Sequence, residues 1–139
     1  MVVIADLRPP PADDSLEAKR LDFITRDVSS WDSQLNLFKE TEKRHGRVDV
    51  VVVNAGIAEA EQALENKCDP TTGDPIQPQW TTLNVNLLGG LITTKLALHY
   101  LRKSKTGGAI VLTGSRASKQ KAPSTFKHST LTVTPFGRL

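Results

Sequence analysis

A single cysteine, Cys68, in 139 residues excludes an internal disulfide framework and a cysteine-built zinc site. It suits a reducing compartment, with Cys68 a bystander thiol. Aromatic residues make up only 5%, with one tyrosine. No uninterrupted apolar run approaches the roughly 20 residues a membrane helix needs. Met1-Val2-Val3-Ile4-Ala5 meets Asp6 too soon for a secretory signal, so no membrane association and a cytoplasmic location are expected. Acids are scarce in one half: residues 1–65 hold 13 against 8 bases, and residues 66–139 hold 2 against 10. The basic half spreads its lysines over a helix (Lys95, Lys103, Lys105) and a tail (Lys119, Lys121, Lys127) with little aromatic interleaving, so no nucleic-acid partner is expected.

With 38% apolar and 24% charged residues, the chain has the composition of one globular domain and is too short for two. Val2 to Ala5 is a short β-branched run without alternation, the pattern of a strand covered on both faces, and it ends at Asp6. Pro9, Pro10 and Pro11 force a loop, and Asp13 to Arg20 suggests a short helix. Leu21 to Thr25 reads as a second strand stopping at Arg26-Asp27-Val28. Ser29 or Ser30 caps a helix with Trp31, Leu35 and Phe38 on one stripe, ending in Lys43, Arg44, His45 and Gly46. Val48 and Val50 to Val53 fit the centre of a parallel sheet. Residues 58–79, with Pro70, Gly73, Pro75 and Pro78, read as a surface insertion. From Trp80 to Arg102, apolar residues recur on two sides (Leu83, Leu87, Leu91, Leu98 and Leu101 against Leu88, Ile92 and Leu96), which predicts a helix buried on two faces. Gly107-Gly108 breaks it, and Ala109 to Thr113 is the next strand. Strands alternating with helices predict an α/β fold with a doubly wound parallel sheet, Rossmann-like, its strands near 2–6, 21–26, 48–54 and 109–114.

In such sheets ligands bind beyond the carboxyl ends of the strands, which here carry Asp6, Asp27, Asn54 and Ser115. Asp6 is placed either to accept the hydroxyls of an adenosine ribose and repel the 2′-phosphate of NADP, or simply to open a loop. Asp27, before Val28, either accepts from an adenine amino group or starts the next helix. The small residues of Asn54-Ala55-Gly56 let backbone approach a flat cofactor. Asn86 lies among leucines and needs partners, since an unpaired buried amide costs about 1–3 kcal/mol. A structural bond to backbone would meet that need. Ser115 is placed either to polarise a substrate carbonyl or to cap a helix.

Val2 to Asp6, Asp27-Val28, Val53-Asn54-Ala55-Gly56-Ile57, Asn84-Val85-Asn86-Leu87-Leu88-Gly89 and Ile110 to Ser115 resemble, in order and spacing, the second through fifth strands of the short-chain dehydrogenase/reductase family. The match covers roughly residues 1–118, and Trp80 to Tyr100 is similar to its hydroxyprostaglandin-dehydrogenase-like branch. The resemblance implies NAD as cofactor. Asp6 would meet the ribose, Asp27 and Val28 the adenine, and Asn54, Ala55 and Gly56 the nicotinamide side. Asn86 and Ser115 would be two members of a catalytic Asn-Ser-Tyr-Lys set.

The family opens with a strand and a Thr-Gly-x-x-x-Gly-x-Gly turn that admits the pyrophosphate, whereas Met1 here begins on the counterpart of the second strand. Its Tyr-x-x-x-Lys should follow the serine by about 13 residues, where this chain has His128 and Thr132. Lys127-His128 can alternatively be read as the end of that motif after a small deletion, which recovers a lysine and no tyrosine. The expectation is a chain truncated at both ends. Residues 1–118 would be a partial NAD-binding Rossmann domain lacking the first strand and glycine turn, and residues 119–139 a divergent, poorly ordered tail. The implied activity is hydride transfer between NAD(H) and a secondary alcohol or ketone, inactive in this chain as it stands. The alternative is a non-catalytic Rossmann fragment acting as a subunit-interaction module, a homo-oligomer through helix 80–102.

Overall fold

The computed structural model describes residues 1–10, 20–58, 65–104, 106–115 and 129–136. The short helix expected at Asp13 to Arg20 falls almost wholly outside them. Strand β1 (Val2–Asp6) pairs in parallel with β2 (Leu21–Thr25), Val2 facing Leu21 and Asp6 facing Thr25. Strand β3 (Val50–Val53) pairs in parallel with β4 (Gly108–Ser115), Val53 facing Leu112. All four expected strands form, and each pair is parallel.

Between β2 and β3 runs α1 (Trp31–His45). Ser30 Oγ accepts from Ser33 N, and Gly46, at φ 80°, donates its N–H to Glu42 O at the other end. This is the capping pattern the sequence carries. Phe38 is buried, whereas Trp31 stays 44% exposed, so the expected stripe packs only in part.

The next helical segment runs from Thr81 to Lys103 and is not uniform. It comprises α2 (Thr81–Leu83), a wide π turn at Asn84–Gly89 and α3 (Gly90–Lys103). The C-terminal part of α3 makes the core, where Leu96, Ala97, Tyr100 and Leu101 join Phe38, Val48 and Ile110. The Tyr100 and Phe38 rings stack with centroids 5.1 Å apart. Burial of this segment on two faces does not hold at its start: Leu83, Leu87 and Leu91 are 51%, 58% and 60% exposed. The described residues place no element over that stripe.

Two further features depart from the expected sheet. The strands form two separate sheets, β1-β2 and β3-β4-β5, instead of one. Val50 and Val52 are exposed at the centre of the valine run, because they share one face of β3, whereas Val51 and Val53 on the other face pack against the core. Strand β5 (Ser129–Phe136) pairs antiparallel with β4, Ser129 facing Ser115. It lies in the segment read as an irregular tail. Ser-Thr-Leu-Thr-Val-Thr-Pro-Phe is rich in β-branched residues with period-two alternation, a strand signature outside the parallel-sheet pattern.

Gly108 joins α3 to the sheet by close approach. A Cβ there would lie 2.5 Å from both Asp49 O and Leu101 Cδ2, so only glycine lets β4 start against this backbone.

Candidate functional site

Both strand pairs touch the π turn and the start of α3. Beyond β2, the backbone of Val28 packs on Gly89, where a Cβ would meet Val28 O at 3.1 Å. The last residue of β3, Val53, packs on Gly90. The carboxyl ends of both pairs therefore converge on one helical turn. Between them lies a cleft of about 410 Å³, with Asp6, Val28, Asn54 and Ala55 among its lining residues. Four of the eight sequence-predicted site residues thus meet at one cavity.

Asp6 ends β1 with its carboxylate exposed. Its Oδ1 accepts from Arg8 N at 3.1 Å, and its carbonyl accepts from Arg26 N at 2.9 Å. The carboxylate opens a turn and also faces outward at the cleft. Asp27 is committed locally: Oδ1 accepts from Ser29 N at 2.9 Å and Ser29 Oγ at 2.7 Å, and its own N–H donates to Ser33 Oγ. Of the two readings open for Asp27, the geometry supplies the helix-start one at that oxygen.

Asn54, Ala55 and Gly56 are exposed at the end of β3. Asn86, within the π turn, clamps the residue after them: Oδ1 accepts from Ile57 N and Nδ2 donates to Ile57 O, both at 2.8 Å. Both ends of its amide are used. Gly56 lies directly beside it, a Cβ there falling 3.5 Å from Asn86 Oδ1. Asn86 thereby fixes the Asn54-Ala55-Gly56 turn from a helix 29 residues away in sequence. Ser115 is the last residue of β4, three positions beyond the residue paired with Val53. Its backbone stands on the same edge of the sheet. Ser118, Lys127 and His128 lie outside the described residues.

The sequence reading missed Gln34. It sits on α1, 1% exposed. Its Nε2 donates to Val28 O at 2.5 Å and Gly89 O at 3.1 Å, while Oε1 accepts from Thr93 Oγ1 at 2.7 Å. A buried amide thus ties the turn after β2 to the π turn that carries Asn86. The available signal was its position, three after Trp31 and four before Phe38, on the apolar side of the helix.

Away from this edge, Asp22 accepts two bonds from Arg44, which hold its carboxyl below the usual carboxylate range against some opposing desolvation, with His45 adding to the effect. Asp69 is likewise held low by the backbone N–H groups of Thr71 and Thr72. Neither borders the cleft. Among the described residues there is no cluster of potential metal ligands and no helix long and apolar enough to cross a membrane.

The chain matches the family model of short chain dehydrogenases over residues 3–130. It is 40% identical over 119 residues to a short-chain dehydrogenase/reductase of Acremonium egyptiacum, covering 84% of this chain and 39% of that protein. Among solved structures it is similar to ElxO with NADP bound, at 27% identity and a TM-score of 0.61, covering 79% of this chain and 41% of that one. It shares the fold of an NADH-dependent reductase complexed with NAD, at 23% identity and a TM-score of 0.63, covering 84% of this chain and 50% of that one. The chain therefore spans well under two thirds of these proteins.

Proposed function

We propose that this chain, which belongs to the short-chain dehydrogenase family, carries the adenosine and nicotinamide contacts of an oxidoreductase site acting with NAD(H) on a secondary alcohol or ketone. The observation that carries this reading is the meeting of Asp6, Val28, Asn54 and Ala55 in one cleft that runs between β1 and β3, at its end nearest the carboxyl ends of the strands, the side on which α/β sheets take their ligands. Asp6 accepts from the ribose hydroxyls and repels a 2′-phosphate. Ala55 and Gly56, held by Asn86 through Ile57, leave backbone open to a flat ring. Asn86 is a positioning residue here, and Ser115 holds the substrate carbonyl.

The fit is partial. Among the described residues no glycine turn stands ready for a pyrophosphate, and no phenol with a nearby lysine stands on this edge to move a proton. The cofactor would supply the hydride, and the chain as written is expected to be inactive. The test is a side-by-side titration with NADH and NADPH followed by nicotinamide fluorescence. NADH should bind about tenfold tighter or better, since 1.4 kcal/mol of like-charge repulsion gives that factor, and Asp6→Ala should remove the difference. Tighter binding of NADPH to the parent chain overturns the assignment.

A second reading has its own observation: Leu83, Leu87 and Leu91 recur every four residues on an exposed stripe, as a helical subunit interface would. On this reading the chain pairs with a copy of itself and needs no cofactor. Leu87→Lys with Leu91→Lys should then convert an oligomer to monomer by light scattering. A monomeric parent chain would remove this reading.

A further inference from the structure

A second cavity, of about 430 Å³, opens on the outer side of α3, and its described lining residues are Lys95, Leu98, His99, Arg102 and Lys103. Its charge is the reverse of the cleft's. It has two lysines, an arginine and a histidine with no acid, where the described lining of the cleft has one carboxylate, Asp6, with no cation. The two places are also at opposite ends of the strands. Leu101, in the last turn of α3, packs against Gly108 at the start of β4, whereas Asp6 ends β1. Lys95, His99 and Arg102 are exposed and, one and two turns apart, share one helix face. Lys103 is already engaged, with Nζ 3.0 Å from Glu42 Oε2 and 4.5 Å from the Tyr100 ring centroid. Lys95, His99 and Arg102 form no ion pair among the described residues. The helix macrodipole favours Arg102 and Lys103 in the last turn, but it fades beyond that turn and gives no reason for Lys95 and His99. Like charges at this spacing repel, so the face is destabilising when bare and is relieved by a bound anion.

We propose that this cavity binds an organic polyphosphate, laid along α3 with its charges on Lys95, His99 and Arg102 and its apolar part on Leu98. A volume of about 430 Å³ is that of a small-molecule site and exceeds what a single ion fills. Lys95 and Arg102 lie about 10 Å apart along the helix axis, a span that matches a row of phosphates better than one. Arg102 offers a planar fork to two phosphate oxygens, Lys95 a compact charge, and His99 a ring N–H donor in either charge state. Leu98 is half-buried in the same face and supplies the apolar floor. The phosphate headgroup of a lipid has the same chemistry, and Leu91, 60% exposed one turn before Lys95, would meet its apolar part. The experiment separates these two sources. The cavity shares no described lining residue with the cleft, so the proposal stands or falls independently of the NAD reading.

The test uses the 139-residue chain and inorganic tripolyphosphate, titrated calorimetrically at low salt. Binding should be saturable, one-to-one and weaker as salt rises, because the cations are exposed. Lys95→Ala with Arg102→Ala should weaken it about tenfold or more. The control is Lys39→Ala with Lys43→Ala, which removes the same charge from exposed positions on α1 that line neither cavity. It should change affinity by less than about twofold. Sulfate, a single tetrahedral anion, should bind the parent about tenfold more weakly or worse. Hydrogen exchange on the parent chain should show added protection in the last two turns of α3 and none in β1, a readout that needs no variant to fold. Flotation with vesicles of phosphatidic acid in phosphatidylcholine then identifies the source. Capture that Lys95→Ala with Arg102→Ala abolishes supports the site as one for a lipid headgroup, and tripolyphosphate binding without capture supports it as one for a free polyphosphate. Equal affinity of the parent and the α3 variant would overturn the proposal, as would an equal loss in the α1 control, which would mark general charge attraction. Sulfate binding as tightly as tripolyphosphate, protection confined to β1 and β3, or absence of binding at millimolar tripolyphosphate would each overturn it too.

Discussion

Replacing Gln34 by leucine should destabilise the chain by about 2–3 kcal/mol, although the side chains have similar bulk and the substitution is apolar in a buried place. Gln34 Nε2 supplies bonds to Val28 O and Gly89 O. Thr93 Oγ1 has one proton, within reach of both Gln34 Oε1 at 2.7 Å and Gly89 O at 2.8 Å; without Gln34 it goes wholly to Gly89 O, so the loss there is that of one net bond, about 0.5–1.5 kcal/mol. Val28 O loses the side-chain donor that reaches it, and a buried carbonyl left unpaired costs about 1–3 kcal/mol. Water entering from the cleft recovers part of that, which places the sum near the lower end. At this chain length about 3–4 °C of Tm goes with each kcal/mol, so Gln34→Leu should lower Tm by about 6–12 °C in a thermal melt at pH 7. Gln34→Glu sharpens the test. Its carboxylate would face two carbonyls, so burial and those dipoles raise its folded-state pKa above the usual value of about 4.3. The resulting destabilisation is absent below that unfolded value, grows as pH rises through the interval and is complete above the folded value. A Gln34→Leu variant melting within about 1 °C of the parent, or a Gln34→Glu deficit independent of pH between 4 and 8, would refute the reasoning.

Gly108→Ala should cost about 1–3 kcal/mol by overpacking, since its Cβ would fall 2.5 Å from the fixed Asp49 carbonyl. Urea denaturation measures it, and an unchanged midpoint would contradict the close approach. Asp22, held low first by its bonds to Arg44 and further by His45, contributes stability that is present above its unfolded pKa near 3.9 and is lost as pH falls through its lowered folded value. Asp22→Asn should flatten the acid limb of a Tm-against-pH curve below about pH 4, with an effect that shrinks in high salt because the pair is exposed. An acid limb identical to the parent's would show that Asp22 carries none of it.

The elements of this fold were legible where local chemistry decides them. Ser30 and Gly46 bound α1 as caps must, and Val50 to Val53 form a strand by β-branching. The division into two sheets is a relation between edges distant in sequence, and no local pattern in the valine run reports whether its neighbour is present. The π turn at Asn84–Gly89 is invisible to a reading based on a 3.6-residue period. That turn carries Asn86, which pairs with Ile57, and ends at Gly89, whose carbonyl accepts from Gln34 and Thr93. Gln34 itself was read past because glutamine on a surface helix usually faces water, and its partners Gly89 and Thr93 are 55 and 59 residues away. Asp6 and Asn54 were legible as strand-end residues, because β-branched runs that stop at a polar residue mark the carboxyl ends of parallel strands, and both border one cleft. Asp27 carries a local bond as well, since Ser29 two residues on donates to its Oδ1.

The same geometry bears on catalysis by this chain, which is expected to show no NAD-dependent oxidation of secondary alcohols above background. Acid–base chemistry needs a group within hydrogen-bond reach of the reacting oxygen, and the family resemblance assigns that duty to a tyrosine beside a lysine. The chain has one tyrosine, Tyr100, and a lysine does attend it, with Lys103 Nζ 4.5 Å from the ring centroid. The pair is at the wrong end of the sheet. Leu101, next to Tyr100, packs against Gly108 at the start of β4, and Gly108 abuts Asp49 just before β3 begins. Tyr100 is therefore near the amino ends of the strands, while Asp6, Asn54 and Ser115 stand at the carboxyl ends. Its ring is 5% exposed and stacked on Phe38, so no substrate oxygen can reach it without opening the core. Ser115 does not replace it, because a neutral hydroxyl is a poor proton donor or acceptor at pH 7 and serves to hold a carbonyl while another group moves the proton. Incubating the chain with NAD and a panel of secondary alcohols should give no rise in absorbance from NADH. Steady production that Ser115→Ala abolishes and Tyr100→Phe leaves intact would refute this, and would direct the search for the acid to His128, beyond the residues described.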